Sequence, residues 1–161
     1  MSTQGVKQDK EAGRNKPDET TVLVVEDFDE TRSMLRVSME LSGYRVVEAI
    51  NGQQAVEVAR RERPDVILMD IGLPVMDGCK ATRLIRENKA LRNVTIIAIS
   101  ANATAEYRVN ALAAGCDEYV TKPIDFDRLM KLIGAAVRPN DSGEHDRPTL
   151  THQHPRDISS N

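Results

Sequence analysis

The chain has 161 residues and a formal net charge of -3, with 40% hydrophobic and 29% charged residues, which is the profile of one ordinary globular domain. Its acidic balance, the lack of a lysine/arginine block and an aromatic content of only 3% argue against nucleic acid as a partner. No stretch approaches the ~20 apolar residues that cross a bilayer and no signal-peptide pattern is present, so we expect a cytoplasmic protein with no membrane partner.

Both ends of the chain are polar. Residues 1–19 and 139–161 lack the apolar side chains that would offset the entropy of ordering them, which predicts a disordered N-terminal arm and a disordered polar tail. The folded domain is then expected to span residues 20–138. Cys79 and Cys116 lie far apart without CxxC spacing, so we expect reduced thiols and no disulfide framework.

Strand-like and helix-like segments alternate along the folded part. Short apolar runs, three of them rich in valine and isoleucine, predict strands, and an amphipathic segment at the helical period follows each run. The predicted elements, strand and helix in turn, are Thr21–Val25, Thr31–Leu41, Arg45–Glu48, Gly52–Arg61, Asp65–Met69, Lys80–Asn88, Val94–Ile99, Ala105–Ala114, Glu118–Val120 and Asp125–Val137.

The helical period also predicts which side chains face the sheet. The last helix is the clearest, because apolar residues recur at i, i+3, i+6 and i+7 from Phe126. Gly115 is expected to end the fourth helix, and Asp29, Asp77 and Asp125 are expected to cap helices or occupy their first turns. The inner faces are predicted to hold Met34, Leu35, Ser38 and Leu41 in the first helix and Val109, Leu112 and Ala113 in the fourth.

The alternation of strands and helices predicts an α/β fold made of right-handed βαβ units. Five strands favour a doubly wound, flavodoxin-like parallel sheet in the order 2-1-3-4-5, with helices on both faces. In this order the ligand crevice lies at the carboxyl ends of the first and third strands. Glu26 and Asp27 follow the first strand and Asp70 follows the third, so the acidic residues fall where this architecture places its site.

Two other strand-like runs also end in polar residues, Ser100 and Lys122. Three carboxylates at one rim repel each other, and Mg²⁺, which prefers oxygen ligands and phosphate, would relieve that repulsion. Lys122 offers a positive charge and Ser100 a hydroxyl group to phosphoryl oxygens. Asp70 would be the carboxylate nucleophile that forms an acyl phosphate. The pattern therefore predicts a site for phosphoryl transfer with a divalent cation.

Four motifs carry these residues in a fixed order: VLVVED at 22–27, DVILMDIGLPVMDG at 65–78, IAISA at 97–101 and YVTKP at 119–123. Together they resemble the receiver domain of two-component response regulators, and the resemblance covers residues 20–138. The resemblance implies that the protein is a phospho-acceptor in a phosphorelay. It also implies that the protein is a signalling receiver and not an enzyme in the usual sense. Such a protein catalyses only its own phosphorylation and dephosphorylation.

The resemblance also implies roles for single residues. Asp70 would accept the phosphoryl group from a histidine of a sensor histidine kinase or a histidine phosphotransfer protein. Mg²⁺ would be held by Asp27, by Asp70, by the backbone carbonyl of Gly72 and, through water, by Glu26. Lys122 would hold the phosphoryl group. Position 26 is a departure, since Asp is commoner there than Glu in the family.

A conformational switch is implied by the same family. Ser100 would move toward the phosphoryl group, and Tyr119 would then rotate inward and change the face made by the fourth helix, fifth strand and fifth helix. A downstream protein would bind this face, because the residues after 138 are too few for a DNA-binding module. Pro123 would follow a cis peptide bond. Ser at position 100, where Thr is common, lacks a methyl group and predicts looser coupling to Tyr119.

Two alternatives stay open. The segment from Asp27 to Thr31 also resembles the D-x-D-x-T motif of haloacid-dehalogenase-type phosphatases, with Asp27 as nucleophile and Asp29 as general acid/base. That family needs acidic Mg²⁺ ligands after a later strand, whereas the fourth strand here is followed by no acid and Asp70 would have no role. The second alternative is a scaffold without phosphorylation, against which the complete set of acids, hydroxyl and lysine argues.

Overall fold

The structure, a computed structural model, describes residues 20–138, so the predictions for residues 1–19 and 139–161 lie outside the described residues. Its strands and helices alternate as predicted, with boundaries that differ by at most two residues from the predicted ones, and the structure adds a short 3-10 turn at Lys89–Leu91. The elements are β1 (Thr21–Val25), α1 (Asp29–Leu41), β2 (Arg45–Ala49), α2 (Gly52–Glu62), β3 (Val66–Asp70), α3 (Gly78–Glu87), β4 (Thr95–Ser100), α4 (Ala105–Ala114), β5 (Glu118–Thr121) and α5 (Phe126–Val137).

The five strands form one parallel sheet in the order β2-β1-β3-β4-β5, which confirms the predicted doubly wound topology. The strands β1 and β3 are buried at every position, because helices cover both faces of the sheet. The register places Val25 beside Met69 and Asp70 beside Ile99. The carboxyl ends of β1, β3 and β4 therefore lie side by side at one edge of the sheet.

Two hydrophobic clusters lie on opposite faces of the sheet, since successive side chains of a strand alternate between its faces. On one face, Leu23 and Ile67 pack with residues of α2, α3 and α4. On the other face, Val24 and Leu68 pack with residues of α1 and α5. The split between three helices and two confirms that helices cover both sides.

The predicted helix ends are confirmed. Asp77 and Asp125 are the N-cap residues of α3 and α5, and each side chain accepts a hydrogen bond from the backbone N–H three residues later, at 2.9 and 3.0 Å. Asp29 lies in the first turn of α1. Gly115 ends α4 with a φ of 115°, in the left-handed region where glycine carries no steric penalty.

The predicted inner face of α1 is partly wrong. Leu35 is buried as expected, but its partner on that face is Met39. Met34 is exposed, Ser38 is half-buried, and Leu41 is 84% exposed. Leu35 and Met39 are four residues apart and so lie on one narrow stripe, whereas the side chain of Leu41 points away from it.

The predicted inner face of α4 is wrong. Ala111 and Ala114 are the buried residues of this helix, and Val109, Leu112 and Ala113 are exposed. The large apolar side chains of α4 therefore face outward and its small ones face the core. Among residues 20–138, no helix has the length and apolar character needed to cross a membrane.

Candidate functional site

The carboxyl edge of the sheet gathers the side chains that the sequence singled out. Glu26 follows β1, Asp70 ends β3 and Ser100 ends β4, and all three are buried. They border a pocket of about 470 Å³ at the centre of this edge. The predicted site residues that line it are Glu26, Asp27, Asp70, Gly72, Ser100 and Lys122.

Three carboxylates form a cluster inside the pocket. One oxygen each from Glu26, Asp27 and Asp70 lies within 4.8 Å of the other two, with Asp27 exposed and the others buried. Burial raises the pKa of Glu26, and the neighbouring Asp70 raises it further, although the hydrogen bond from Lys122 works in the opposite direction. Carboxylate oxygens this close together can hold a divalent cation.

Lys122 connects two of these acids. Its Nζ lies 2.9 Å from Glu26 Oε2 and 3.1 Å from Asp70 Oδ2. Burial by itself would lower the pKa of Lys122, but the hydrogen bonds to the two carboxylates outweigh burial and raise it. The backbone N–H of Lys122 donates to the carbonyl of Ser100 at 2.8 Å, and the predicted cis bond to Pro123 is present. The ammonium group is thus held against Asp70.

The loop between β3 and α3 is fixed tightly around Asp70. The backbone N–H of Gly72 donates to Asp70 Oδ1 at 2.8 Å. A side chain at Gly78 would meet the Asp70 carbonyl oxygen at 2.2 Å, so only glycine fits there. Between them, Val75 has a φ of 67° at the centre of a γ-turn closed by a 2.7 Å hydrogen bond, and its side chain is 91% exposed.

The two residues predicted to form a switch are connected through a residue that the sequence did not single out. The backbone N–H of Asn102 donates to Ser100 Oγ at 3.1 Å. The backbone carbonyl of Asn102 accepts a hydrogen bond from the hydroxyl of Tyr119, whose ring is buried. Only its place two residues after Ser100 could have indicated Asn102 in advance.

Two aromatic side chains also line the pocket and were not predicted as site residues. Phe28 follows the acids after β1, and Tyr107 lies in the first turn of α4. No strand end and no helical period indicates either residue. The low aromatic content of the chain was the only sequence feature that could have drawn attention to these two residues.

A comparison with protein families decides what this arrangement is. The family model of the response regulator receiver domain matches residues 22–134, which includes all four strand ends of the pocket. The chain belongs to this family. Receiver domains are signalling modules that interact with kinases or phosphotransfer proteins.

Several relatives of this receiver domain are known. The polar-differentiation response regulator DivK of Brucella anthropi is 35% identical over 113 residues, which cover 70% of this chain and 92% of DivK. The receiver domain of a sensor histidine kinase from Pseudomonas aeruginosa is 40% identical with a TM-score of 0.69, and the match covers 73% of this chain and 97% of that one. That domain was crystallised with a magnesium ion coordinated in its active site cleft.

A more distant structure has the same fold. Chemotaxis protein CheY4 of Vibrio cholerae is 26% identical with a TM-score of 0.69, over 73% of this chain and 98% of CheY4. The pocket geometry agrees with the receiver family better than with the phosphatase alternative. Lys122 contacts Asp70 and Glu26, whereas the phosphatase reading would centre the chemistry on Asp27.

Proposed function

We propose that the receiver domain, residues 20–138, accepts a phosphoryl group on Asp70 in a cytoplasmic phosphorelay. The donor is the phosphohistidine of a sensor histidine kinase or of a histidine phosphotransfer protein. The observation that carries this proposal is the position of Asp70 at the end of β3, buried, 3.1 Å from the Lys122 ammonium group and inside the carboxylate cluster. The protein catalyses its own phosphorylation and dephosphorylation and no other reaction.

The residues present fit a magnesium ion. Asp27 and Asp70 would bind it directly, Glu26 through water, and Gly72 through its backbone carbonyl. The three carboxylate oxygens within 4.8 Å of one another support this fit, because a divalent cation would offset the mutual repulsion that remains beside a single lysine. When bound, Mg²⁺ neutralises the carboxylates and stabilises negative charge on the phosphoryl oxygens.

In the transfer step a carboxylate oxygen of Asp70 attacks phosphorus, and the bond from phosphorus to the donor histidine nitrogen breaks. The electron pair of that bond stays on nitrogen, and the ring, protonated on its other nitrogen, leaves as neutral imidazole. The Lys122 ammonium group binds one phosphoryl oxygen and the Ser100 hydroxyl group binds another. Both side chains border the pocket, and the Lys122 ammonium group already contacts Asp70, so it is in position to orient the group as the donor arrives.

Phosphorylation then changes a distant surface. Movement of Ser100 toward the phosphoryl group displaces Asn102, whose carbonyl holds the hydroxyl of Tyr119. Tyr119 lies on β5, so the displacement changes the face made by α4, β5 and α5. Val109 and Leu112 are exposed apolar residues of α4 and belong to that face. A downstream protein binds there, or Asp70 passes the phosphoryl group onward.

Site mapping tests the acceptor. The protein is incubated with acetyl phosphate and Mg²⁺, and phosphate is located by mass spectrometry after reductive trapping of the acyl phosphate. We expect phosphate on Asp70 and none in Asp70→Asn. Asp127→Asn, which removes an exposed carboxylate in α5, is the matched control and is expected to react like the unchanged protein. Phosphate on Asp27 would favour the phosphatase alternative, and no phosphate would favour the scaffold.

Thermal unfolding tests the metal. Mg²⁺ binds the carboxylate cluster of the folded state, so it is expected to stabilise the fold by about 2.7 kcal/mol at about 100 times its Kd. The increase in Tm is expected to shrink in Asp27→Asn, because this variant removes one carboxylate from the cluster. An unchanged Tm of the original protein in saturating Mg²⁺ would count against the site.

A further inference from the structure

The chain has three tyrosines, two phenylalanines and no tryptophan, and two of these five aromatic side chains line the acidic pocket. They are also the most exposed of the five, Phe28 at 56% and Tyr107 at 46%. Tyr44, Tyr119 and Phe126 are buried or half-buried. Exposed aromatic surface is unfavourable in water, so its concentration at one pocket points to a ligand that covers it.

The topology brings the two aromatic residues to the pocket from opposite sides of β3. Phe28 follows β1, and Tyr107 belongs to α4, which follows β4. In the sheet, β1 and β4 are the two neighbours of β3, and Asp70 ends β3. The backbone N–H of Phe28 donates to Glu26 Oε1 at 3.2 Å, which holds the backbone of this residue beside the carboxylate cluster. One aromatic residue thus lines the pocket from each side of the strand that carries the acceptor carboxylate.

The pocket is larger than the phosphoryl group alone requires. Its volume is about 470 Å³. A water molecule occupies about 30 Å³ in the liquid, so a phosphoryl group and a hydrated cation fill only part of the space. The residues that line this space include the three acids and the two aromatic residues. A flat, positively charged ring matches both, because aromatic faces attract cations and pair with other rings.

We propose that Phe28 and Tyr107 form an aromatic slot that binds the imidazole ring of the phosphohistidine donor. This inference rests on the proposed function of Asp70 and adds how the donor is recognised. The phosphorylated ring is a cation when its second nitrogen is protonated, which is the form that leaves as neutral imidazole. The slot therefore selects the reactive form of the donor and holds its phosphorus toward Asp70.

Two small donors isolate the contribution of the ring. Phosphoimidazole and phosphoramidate both transfer a phosphoryl group from nitrogen, releasing imidazole and ammonia, but only the first has a ring. The second-order rate constant for phosphorylation of Asp70 is measured for each donor with Mg²⁺ present, by phosphate-affinity gel electrophoresis. The ratio of the two rate constants reports recognition of the ring and cancels changes that affect Asp70 in general.

The unchanged protein is expected to favour phosphoimidazole. Tyr107→Ala and Phe28→Ala are each expected to lower the ratio by about two- to tenfold, the size of one aromatic contact. Tyr107→Phe keeps the ring and is expected to keep the ratio. Asn110→Ala removes an exposed side chain of the same helix that does not line the pocket, so it serves as the matched control.

Two outcomes contradict the proposal in different ways. The same ratio in the unchanged protein and in both alanine variants, with Asp70 phosphorylated in all, would overturn the slot and leave Asp70 as the acceptor. No phosphate on Asp70 of the unchanged protein with either donor would overturn the proposed function together with the slot. Circular dichroism spectra confirm that the variants, all at exposed positions, are folded.

Discussion

The helices α4 and α5 lie on either side of β5 along the chain, yet they are held to the sheet in different ways. The helix α5 buries Leu129 and Ile133, two large aliphatic side chains. The helix α4 buries Ala111 and Ala114 and exposes its larger residues. Because the free energy of burial scales with apolar area, α5 is fixed by packing and α4 can shift with little loss.

The two ends of α4 also differ. Its C-terminal end is anchored by Arg86 of α3, which donates to the carbonyl of Gly115 at 3.0 Å and pairs with Asp117 at 2.9 Å. Its N-terminal end follows the loop that begins after Ser100 and contains Asn102. We therefore expect α4 to move about its anchored end when this loop moves.

The largest expected change in stability tests how α5 and α4 are packed against the sheet. Ile133→Ala in α5 is expected to destabilise the fold by about 3 kcal/mol, because it leaves a cavity in a fully buried cluster. Leu112→Ala in α4 is expected to change stability by less than about 0.5 kcal/mol, because the side chain is exposed. Urea unfolding followed by circular dichroism measures both. Similar losses in the two variants would remove the contrast between the helices.

Replacement of Arg86, which anchors the C-terminal end of α4, is expected to cause the next largest loss of stability. Arg86→Met removes a charged donor from the carbonyls of Gly115 and Val94 and is expected to destabilise the fold by about 2 kcal/mol. Arg83→Met, in the same helix at an exposed position, is the control and is expected to be near neutral. If the two variants melt at the same temperature, Arg86 is not an anchor.

Alkaline pH tests the buried thiol just after α4. Burial raises the pKa of Cys116 to about 11 from an ordinary 9.0. The folded state therefore favours the protonated thiol, so its contribution to stability is complete below pH 9 and is lost between pH 9 and 11. The loss at pH 10 is about 1 kcal/mol. Cys116→Ala is expected to lose less stability than the unchanged protein over the same range, and parallel pH profiles would contradict this.

The smallest effect concerns the switch itself. Addition of Mg²⁺ and beryllofluoride, an acyl-phosphate mimic, is expected to shift the amide resonance of Tyr119, and Ser100→Thr is expected to enlarge that shift because the added methyl group tightens coupling. The amide of Ile133 in α5 should change little in either protein. Identical changes at Tyr119 in both proteins would refute looser coupling through serine.

The sequence predicted α5 and failed on α4 for one physical reason. In α5 the large apolar residues are the buried ones, so the period from Phe126 identifies the inner face. In α4 the buried positions are alanines, and hydrophobicity alone favours the larger Val109 and Leu112. We propose that the outward apolar residues of α4 belong to a binding face, and no periodic pattern distinguishes a binding face from a core face.

The part of the site that depends only on the order of the strands could be predicted from the sequence. Parallel strands bring their carboxyl ends to one edge, so Glu26, Asp70, Ser100 and Lys122 meet there whatever the details of packing. The hydrogen bonds of Asn102 and the γ-turn at Val75 could not be predicted, because they depend on the path of individual loops.

The connection between Ser100 and Tyr119 runs through the main chain of Asn102, N–H on one side and C=O on the other. A relay made of backbone atoms does not depend on the identity of the side chain at that position. Natural variation can therefore alter residue 102, and with it the chemistry of the pocket rim, while both hydrogen bonds of the proposed switch are preserved. Proline is the exception, since it removes the N–H on which the relay depends. The chemistry that recognises the phosphoryl donor can thus evolve separately from the connection between Ser100 and Tyr119.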